Sequence, residues 1–452
     1  MQASFLHTTM SIDGTLHSFL RSTTISSLES DSSPPEQLKK NTLDVFSLVQ
    51  FRWLFMGNIA FFFSMQGQML TRSLLAWELT GEATALAYIN LVVAIPLIIA
   101  SLFGGAITDR VERRRLIMIG QSLIVANEVF ILTLLLLGRL EFWHMLCTAF
   151  MAGCAFPFIM PARMAITMNV VGPQRLQRAL AFQAGAMNLN RVLGPAVMGV
   201  VIAQFDFTAA YMLSIFLFTC AILCMFGIEK SYSNDPNAEK KPLLADIGYG
   251  FKYIIENRPV LICLLFGLVP MFLAMPFQNI LVVLAEEAWQ AEETGVGILM
   301  ATGGIGGVLG AIWIARRDDS ANRLNIMLGS TFAFGIFLAL FTQTGNFFLA
   351  LVPLLLANVC MSASQTVNNA SIQLLVDDSV RGRMSSFMML SFGLTPIGVF
   401  PLAIAADNFG AANAILTASI LLMVTVVAFY LLSRTLRGLD QSVATKMSAT
   451  NN

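Results

Sequence analysis

Apolar residues run through this chain in long blocks separated by short polar joints, without the strict alternation of a half-buried strand. About 20 apolar helical residues are enough to cross the hydrocarbon core of a bilayer. Each block therefore predicts a membrane-crossing helix. Twelve are predicted, over residues 51–76, 84–108, 115–137, 142–168, 178–203, 207–228, 259–284, 294–314, 325–343, 346–373, 383–405 and 410–433. Residues 1–48 are polar, rich in Ser and Thr, and contain Pro34-Pro35; with no basic start or compact apolar core of a signal peptide, they are expected to form a disordered cytoplasmic tail. The stretch 229–258 is the one sizeable interior linker. It opens on a turn-rich run, Ser233 to Asn237, then places Leu243, Ile247, Phe251, Ile254 and Ile255 on one face of a short helix that ends before Pro259. Six spans fall on either side of it, in 49–228 and 259–434, and 435–452 is expected to be a second cytoplasmic tail.

Composition agrees with this pattern. The chain has 452 residues, 56% hydrophobic and 12% charged, with a mean hydropathy of +0.72. A soluble domain carries about 25% charged residues. The fold class expected is all-α: a polytopic membrane protein. The formal net charge is zero, so the placement of charge matters rather than its sum. Loops after the even-numbered spans carry Arg110 and Arg113 to Arg115; Arg175 and Arg178; Lys230, Lys240, Lys241 and Lys252; Arg316, Arg317 and Arg323; and Arg381 and Arg383. The intervening loops carry acids: Glu78, Glu82, Asp206, Glu286, Glu287, Glu292, Glu293 and Asp407, with Arg139 the exception. Positive charge stays in the cytoplasm, so both termini are expected inside.

Several classes of chemistry find no support. Cys147, Cys154, Cys220, Cys224, Cys263 and Cys360 all lie in apolar runs without ligand spacing and read as small core residues. His7, His17 and His144 are scattered. No phosphate-binding loop and no convergent nucleophile, base and orienting group are present, so neither an enzyme nor a cofactor, metal or nucleic-acid partner is expected. Work done by this chain must draw on a gradient or run downhill.

The two halves also resemble each other. Val171, Arg178 and Phe182 recur as Val376, Arg383 and Phe387 at one constant offset. Gly105-Ala106-Ile107, Arg115-Leu116 and Gly120 recur, with a small insertion, as Gly310-Ala311-Ile312, Arg323-Leu324 and Gly329. A duplicated six-helix unit follows, the parallel repeat that places a binding site between halves.

The pattern Gly105-x-x-x-Asp109-Arg110-x-x-Arg113-Arg114 resembles the signature loop of the major facilitator superfamily. Pro161-Ala162-Arg163, Arg191-x-x-Gly194-Pro195 and Arg381-Gly382-Arg383 are similar to its subgroup of siderophore, macrolide, drug and lysophospholipid transporters, enterobactin exporters among them. The resemblance covers about Phe51 to Arg437. It implies secondary transport by alternating access. The expectation is export of an amphipathic organic compound by a monomer in the bacterial inner membrane, driven by inward proton flow. Lysophospholipid movement, or a transport-dead sensor or scaffold, are the alternatives. In two places the chain departs from the subgroup: only Gly199 follows Gly194-Pro195, with Met198 before it, and span one carries Gln66 and Gln68 where an acid is common.

The resemblance also implies that Gly105, Asp109, Arg110 and Arg113 form a conformational latch with the start of span eleven near Arg383. A carboxylate against the positive end of a helix is worth up to about 1–2 kcal/mol when partly buried. Arg114 and Arg115 are read as topology markers. Ionisable groups deep in a span are functional candidates; here these are Glu128, Arg163 and Arg191. Glu128 is open to two readings, proton exchange or packing against an unseen polar partner. Arg163 is expected to snorkel toward the cytoplasmic end, and Arg191 to act in function or in a gate-forming ion pair, beside a Gly194-Pro195 step that softens span five. Gly303, Gly304, Gly306, Gly307 and Gly310 are expected to form a close interface between the halves, with static packing the alternative. By the resemblance, spans one, four, seven and ten line the cavity, offering Met65, Gln66, Gln68, Met69, Met151, Met160, Met271, Met275, Gln278, Asn279, Asn358, Met361 and Gln365. Methionines and amides suit an amphipathic occupant.

Overall fold

The computed structural model describes residues 44–108, 111–232, 252–317, 322–376 and 395–450; for 101–108, Pro173 and 447–450 it gives the helical backbone alone. The chain divides into a short unit, Met1–Ser47, and one compact unit, Leu48–Asn452. Of the first unit, Asp44–Ser47 form a 3-10 turn. The expected tail and most of the linker, 233–251, lie outside the described residues.

The second unit is helical throughout its described length. The first half comprises α1 (Val49–Thr80), α2 (Ala83–Thr108), α3 (Arg113–Leu136), α4 (Phe142–Val171), α5 (Pro173–Gln204) and α6 (Phe207–Met225). The second comprises α7 (Arg258–Leu273), α8 (Leu281–Trp289), α9 (Glu293–Ala315), α10 (Arg323–Gln343), α11 (Phe347–Leu375), α12 (Thr395–Phe409) and α13 (Ala411–Leu432). Among the described residues, ten helices are long and apolar enough to cross a membrane. Neither α1 nor α12 is among them. In α1 the amides Asn58, Gln66 and Gln68 dilute an otherwise apolar run, and α12 is described only from Thr395. Side-chain caps start several helices: Asp206 accepts from Ala209 N at 2.8 Å and Asn346 from Leu349 N at 3.1 Å.

Two expectations change. The seventh span is not one helix: α7 stops at Leu273, a 3-10 turn runs over Met275–Asn279, and α8 follows. Pro276, which opens the turn, has no N–H to continue the α-helical ladder. The C-terminal segment is likewise no featureless tail. It forms α14 (Arg434–Arg437) and α15 (Leu439–Thr450), with Leu436, Leu439 and Val443 buried and Asp440 accepting from Leu324 N at the start of α10.

The helices pair twice over in one pattern. In the first half α2 packs on α4, α3 on α4 and α6, and α1 on α5 and α6; in the second α9 packs on α11, α10 on α11 and α13, and α7 on α12 and α13. The inner helices then close a ring in the order α1, α4, α2, α12, α7, α11, α9, α5, with α3, α6, α10 and α13 outside it. Among the described residues the halves meet chiefly where α2 packs against α12 and α5 against α9, with smaller contacts of α1 on α8 and α9.

Candidate functional site

The ring has an acidic end, where Glu78, Glu82, Glu286, Glu293 and Asp407 lie, and a basic end, where Arg113 to Arg115 lie. At the acidic end the halves are joined by specific contacts. Asp407, near the end of α12, accepts from the backbone N–H groups of Ala83 and Thr84 at 2.6 and 3.0 Å, so it caps the start of α2 in the other half. Trp77 Nε1 donates to Glu286, and the Tyr88 and Phe400 rings meet edge-on with centroids 5.4 Å apart.

The α5–α9 seam is built on small residues. A Cβ on Gly199 would stand 2.6 Å from Glu293 O, one on Gly297 2.9 Å from Pro195 O, and one on Gly304 2.9 Å from Val192 Cγ2. Backbones therefore touch across the halves, and only glycine permits it. The sequence reading missed Gly297. Of the glycines it singled out, Gly304 faces the other half, while Gly306 and Gly310 meet Leu355 O and Val359 O of α11 within their own half. The solitary Gly199 is accounted for by this close approach. Met198 beside it fits because Gly67 of α1 leaves room, a Cβ there lying 2.4 Å from Met198 Cγ. Gly194 packs on Gln66, and α5 remains one continuous helix through Pro195.

The mid-membrane charges separate into three environments. Glu128 of α3 is 1% exposed and pairs at 2.5 Å with Arg72 of α1, a residue the sequence reading passed over. This partner was legible: Arg72 lies inside the predicted span one. Tyr211 of α6 lies beside the pair, and Gln68 Nε2 donates to Ser214 Oγ of α6 at 2.7 Å. Arg163 does not snorkel. It is 4% exposed, bonded to Asn58 and stacked over the Phe61 ring at 4.2 Å, with Nε and Nη2 unpartnered. Arg191 is exposed on α5 and, among the described residues, makes no ion pair.

Other expected residues take varied places. Gln278 Nε2 donates to Asn358 Oδ1 at 3.4 Å, and Gln365 Nε2 to Met275 Sδ at 3.2 Å, so spans seven and ten are tied by amides. Met271, Gln365, Ser364 and Asn368 line a narrow cleft between α7 and α11. Met361 and Asn358 are buried; Met65, Gln66 and Asn279 are half-buried; Met69 and Met151 are exposed. At the basic end the backbone N–H of Arg113 donates to Ser231 O at 2.9 Å, and the Arg114 guanidinium donates through Nη1 to Ile228 O at 2.7 Å, placing one cation on a carbonyl that follows α6. Arg114 thus has a partner that topology alone did not require. Asp109, Arg110 and Arg383 lie outside the described residues, as does the side-chain environment of Gly105.

Comparison with known proteins gives a consistent result. The family model described as transmembrane secretion effector matches residues 41–450. The staphyloferrin A transporter of Staphylococcus aureus is 24% identical over 79% of this chain and 89% of its own. Macrolide efflux protein A of Streptococcus pyogenes is 23% identical over 74% of this chain and 83% of its own. Among solved structures, the nucleoside transporter NupG superposes with a TM-score of 0.71 at 12% identity, covering 84% of this chain and all of that one, which shows a shared fold. Two repeated helix sets closed in a ring, with a family match spanning nearly the whole chain, make this protein a secondary transporter of the transmembrane secretion effector family within the major facilitator superfamily.

Proposed function

We propose that this transporter exports an amphipathic organic compound of drug, macrolide or siderophore type from the cytoplasm across a bacterial inner membrane, with the basic end of the ring and both termini inside. The observation that carries the reading is the seam between halves. The described contacts joining them, Asp407 on α2, Trp77 to Glu286 and Gly199 on α9, sit at the acidic end or reach from it to mid-depth. A cavity closed outside receives cargo from inside, and rocking the halves about the glycine seam opens the other end. Asp109 serves in the opposite state, latching the basic end against the start of span eleven. Relatives named for siderophore and macrolide movement support the cargo class, and proton influx supplies the drive.

The test is a proteoliposome assay under an imposed pH gradient with dyes, macrolides, siderophores and lysolipids. Gradient-dependent movement of at least one amphipathic compound is expected. Movement of none, with or without the gradient, overturns the export reading.

A further inference from the structure

Away from the ends of its spans the chain has one acid, Glu128, and three arginines, Arg72, Arg163 and Arg191. Arg72 neutralises Glu128 inside the first half. Arg163 is enclosed there by Asn58 and Phe61. Arg191 alone of the three is exposed, and no group among the described residues balances it.

Its direction follows from its neighbours on α5. Gly194 meets α1 and Gly199 meets α9, the two ring neighbours of α5. At about 100° per residue, Arg191 falls on the arc between those two faces, together with Met187 and Asn188. The opposite arc carries Leu189, Leu193, Val197 and Val200, all exposed aliphatics suited to lipid. Arg191 therefore points to the inside of the ring. Its depth is fixed by Gly304, where a Cβ would lie 3.3 Å from Arg191 O; the adjacent Gly303 meets the Asn358 amide. So a guanidinium with no ion-pair partner among the described residues stands at mid-depth at the level of Asn358 and its partner Gln278, facing the space between the halves.

An unpaired cation in the membrane interior is costly and needs a reason. A guanidinium offers a rigid fork of donors that matches a carboxylate or phosphate in two parallel hydrogen bonds. We infer that Arg191 is the counter-ion of the transported compound, so that the cavity selects amphipathic anions bearing a carboxylate or phosphate. This deepens the export reading and rests on it.

The test uses the full chain in proteoliposomes with two fluorescent probes of matched length, a dansyl alkyl carboxylate and a dansyl alkylammonium, with a dansyl alkyl phosphate as a third arm. Wild type is expected to move the carboxylate or phosphate at least tenfold faster than the ammonium. Arg191→Gln removes that preference, Arg191→Lys retains part of it, and Arg191→Glu inverts it toward the ammonium. Thermal unfolding of Arg191→Gln is expected to match wild type, because among the described residues the side chain has no partner to lose. Anion transport by Arg191→Gln at the wild-type rate, or preference of the wild type for the ammonium, overturns the inference. Movement of no probe by wild type, here and in the broader panel, is instead failure of the export reading.

Discussion

The charged residues inside the spans are distinguished by what each one touches. Glu128 is almost fully buried and its Arg72 partner is 21% exposed at the side chain, so the carboxylate end of the pair is the one fully enclosed by protein. Breaking a buried pair by deleting one member leaves the other charge uncompensated, at about 3–5 kcal/mol, whereas replacing both by apolar residues of similar volume is close to neutral. Glu128→Ala is therefore expected to lower the unfolding temperature in detergent markedly, and Arg72→Met with Glu128→Leu to restore most of it. If the double variant is as unstable as the single, the pair is not the source of the effect. Transport by a stable double variant also decides between the two readings of Glu128: loss of proton-driven transport in a well-folded protein marks a coupling group, and retention marks a packing pair. Arg191 differs from both arginines in the first half because its helix places it on the ring's inner arc. Sequence alone could locate these charges in their spans, since position along a span is a matter of counting. Which residue answers which charge depends on how helices pair, and Arg72 and Glu128 lie on α1 and α3, far apart in sequence.

At the scale of elements, α2 and α12 are the informative pair. They pack across the boundary between halves, and the end of α12 lies beside the start of α2. Asp407 closes α12 and caps α2 at the acidic end; Asp109 follows α2 and, by the family resemblance, caps span eleven at the basic end. In the proposed cycle the two acids form a reciprocal pair of latches, one for each access state; the Asp407 half is the one the described residues contain. A side-chain N-cap contributes about 0.5–2 kcal/mol, enough to move a two-state equilibrium about 2- to 30-fold. Asp407→Ala is expected to open the acidic end and Asp109→Asn to favour its closure, read as opposite shifts in distances between spin labels across each end. Shifts of the same sign in both variants would refute the reciprocal arrangement. The break between α2 and α3 was legible, because a cluster of arginines interrupts two apolar runs. Asp407 was read only as an outer-loop acid, because its partners are backbone N–H groups that carry no sequence signature. The break after Leu273 escaped for a related reason: Pro270 and Pro276 look alike in sequence, yet α7 runs through the first and ends before the second.

For the whole molecule, the question is how the closed acidic end responds to protons. Glu78 lies past the predicted end of span one at 76, and Glu293 begins α9 in the other half. Partial burial pushes the Glu78 carboxyl above its usual range, and the nearby Glu293 carboxylate adds to that shift. The Glu293 contribution belongs to the closed arrangement, since separating the halves removes Glu78 from Glu293. A group whose pKa is higher in one state favours that state when protonated, so closure at this end is stabilised as pH falls through the raised value. The advantage is lost as pH rises above it, where two carboxylates face each other. In the proposed orientation and proton-driven cycle, protonation from the outer side closes this end, the step that cycle requires after cargo release. Distances across the acidic end, followed by spin labels in nanodiscs, are expected to shorten on acidification in wild type. Glu78→Gln should hold the short distance at all pH values tested, because it stays neutral. Exposure of Glu78 keeps the expected change modest, and Glu286, held by Trp77 Nε1, supplies a control at the same end. If the pH response persists unchanged in Glu78→Gln and disappears in Glu286→Gln, the proton acts through Glu286 and the account based on the Glu78–Glu293 approach fails.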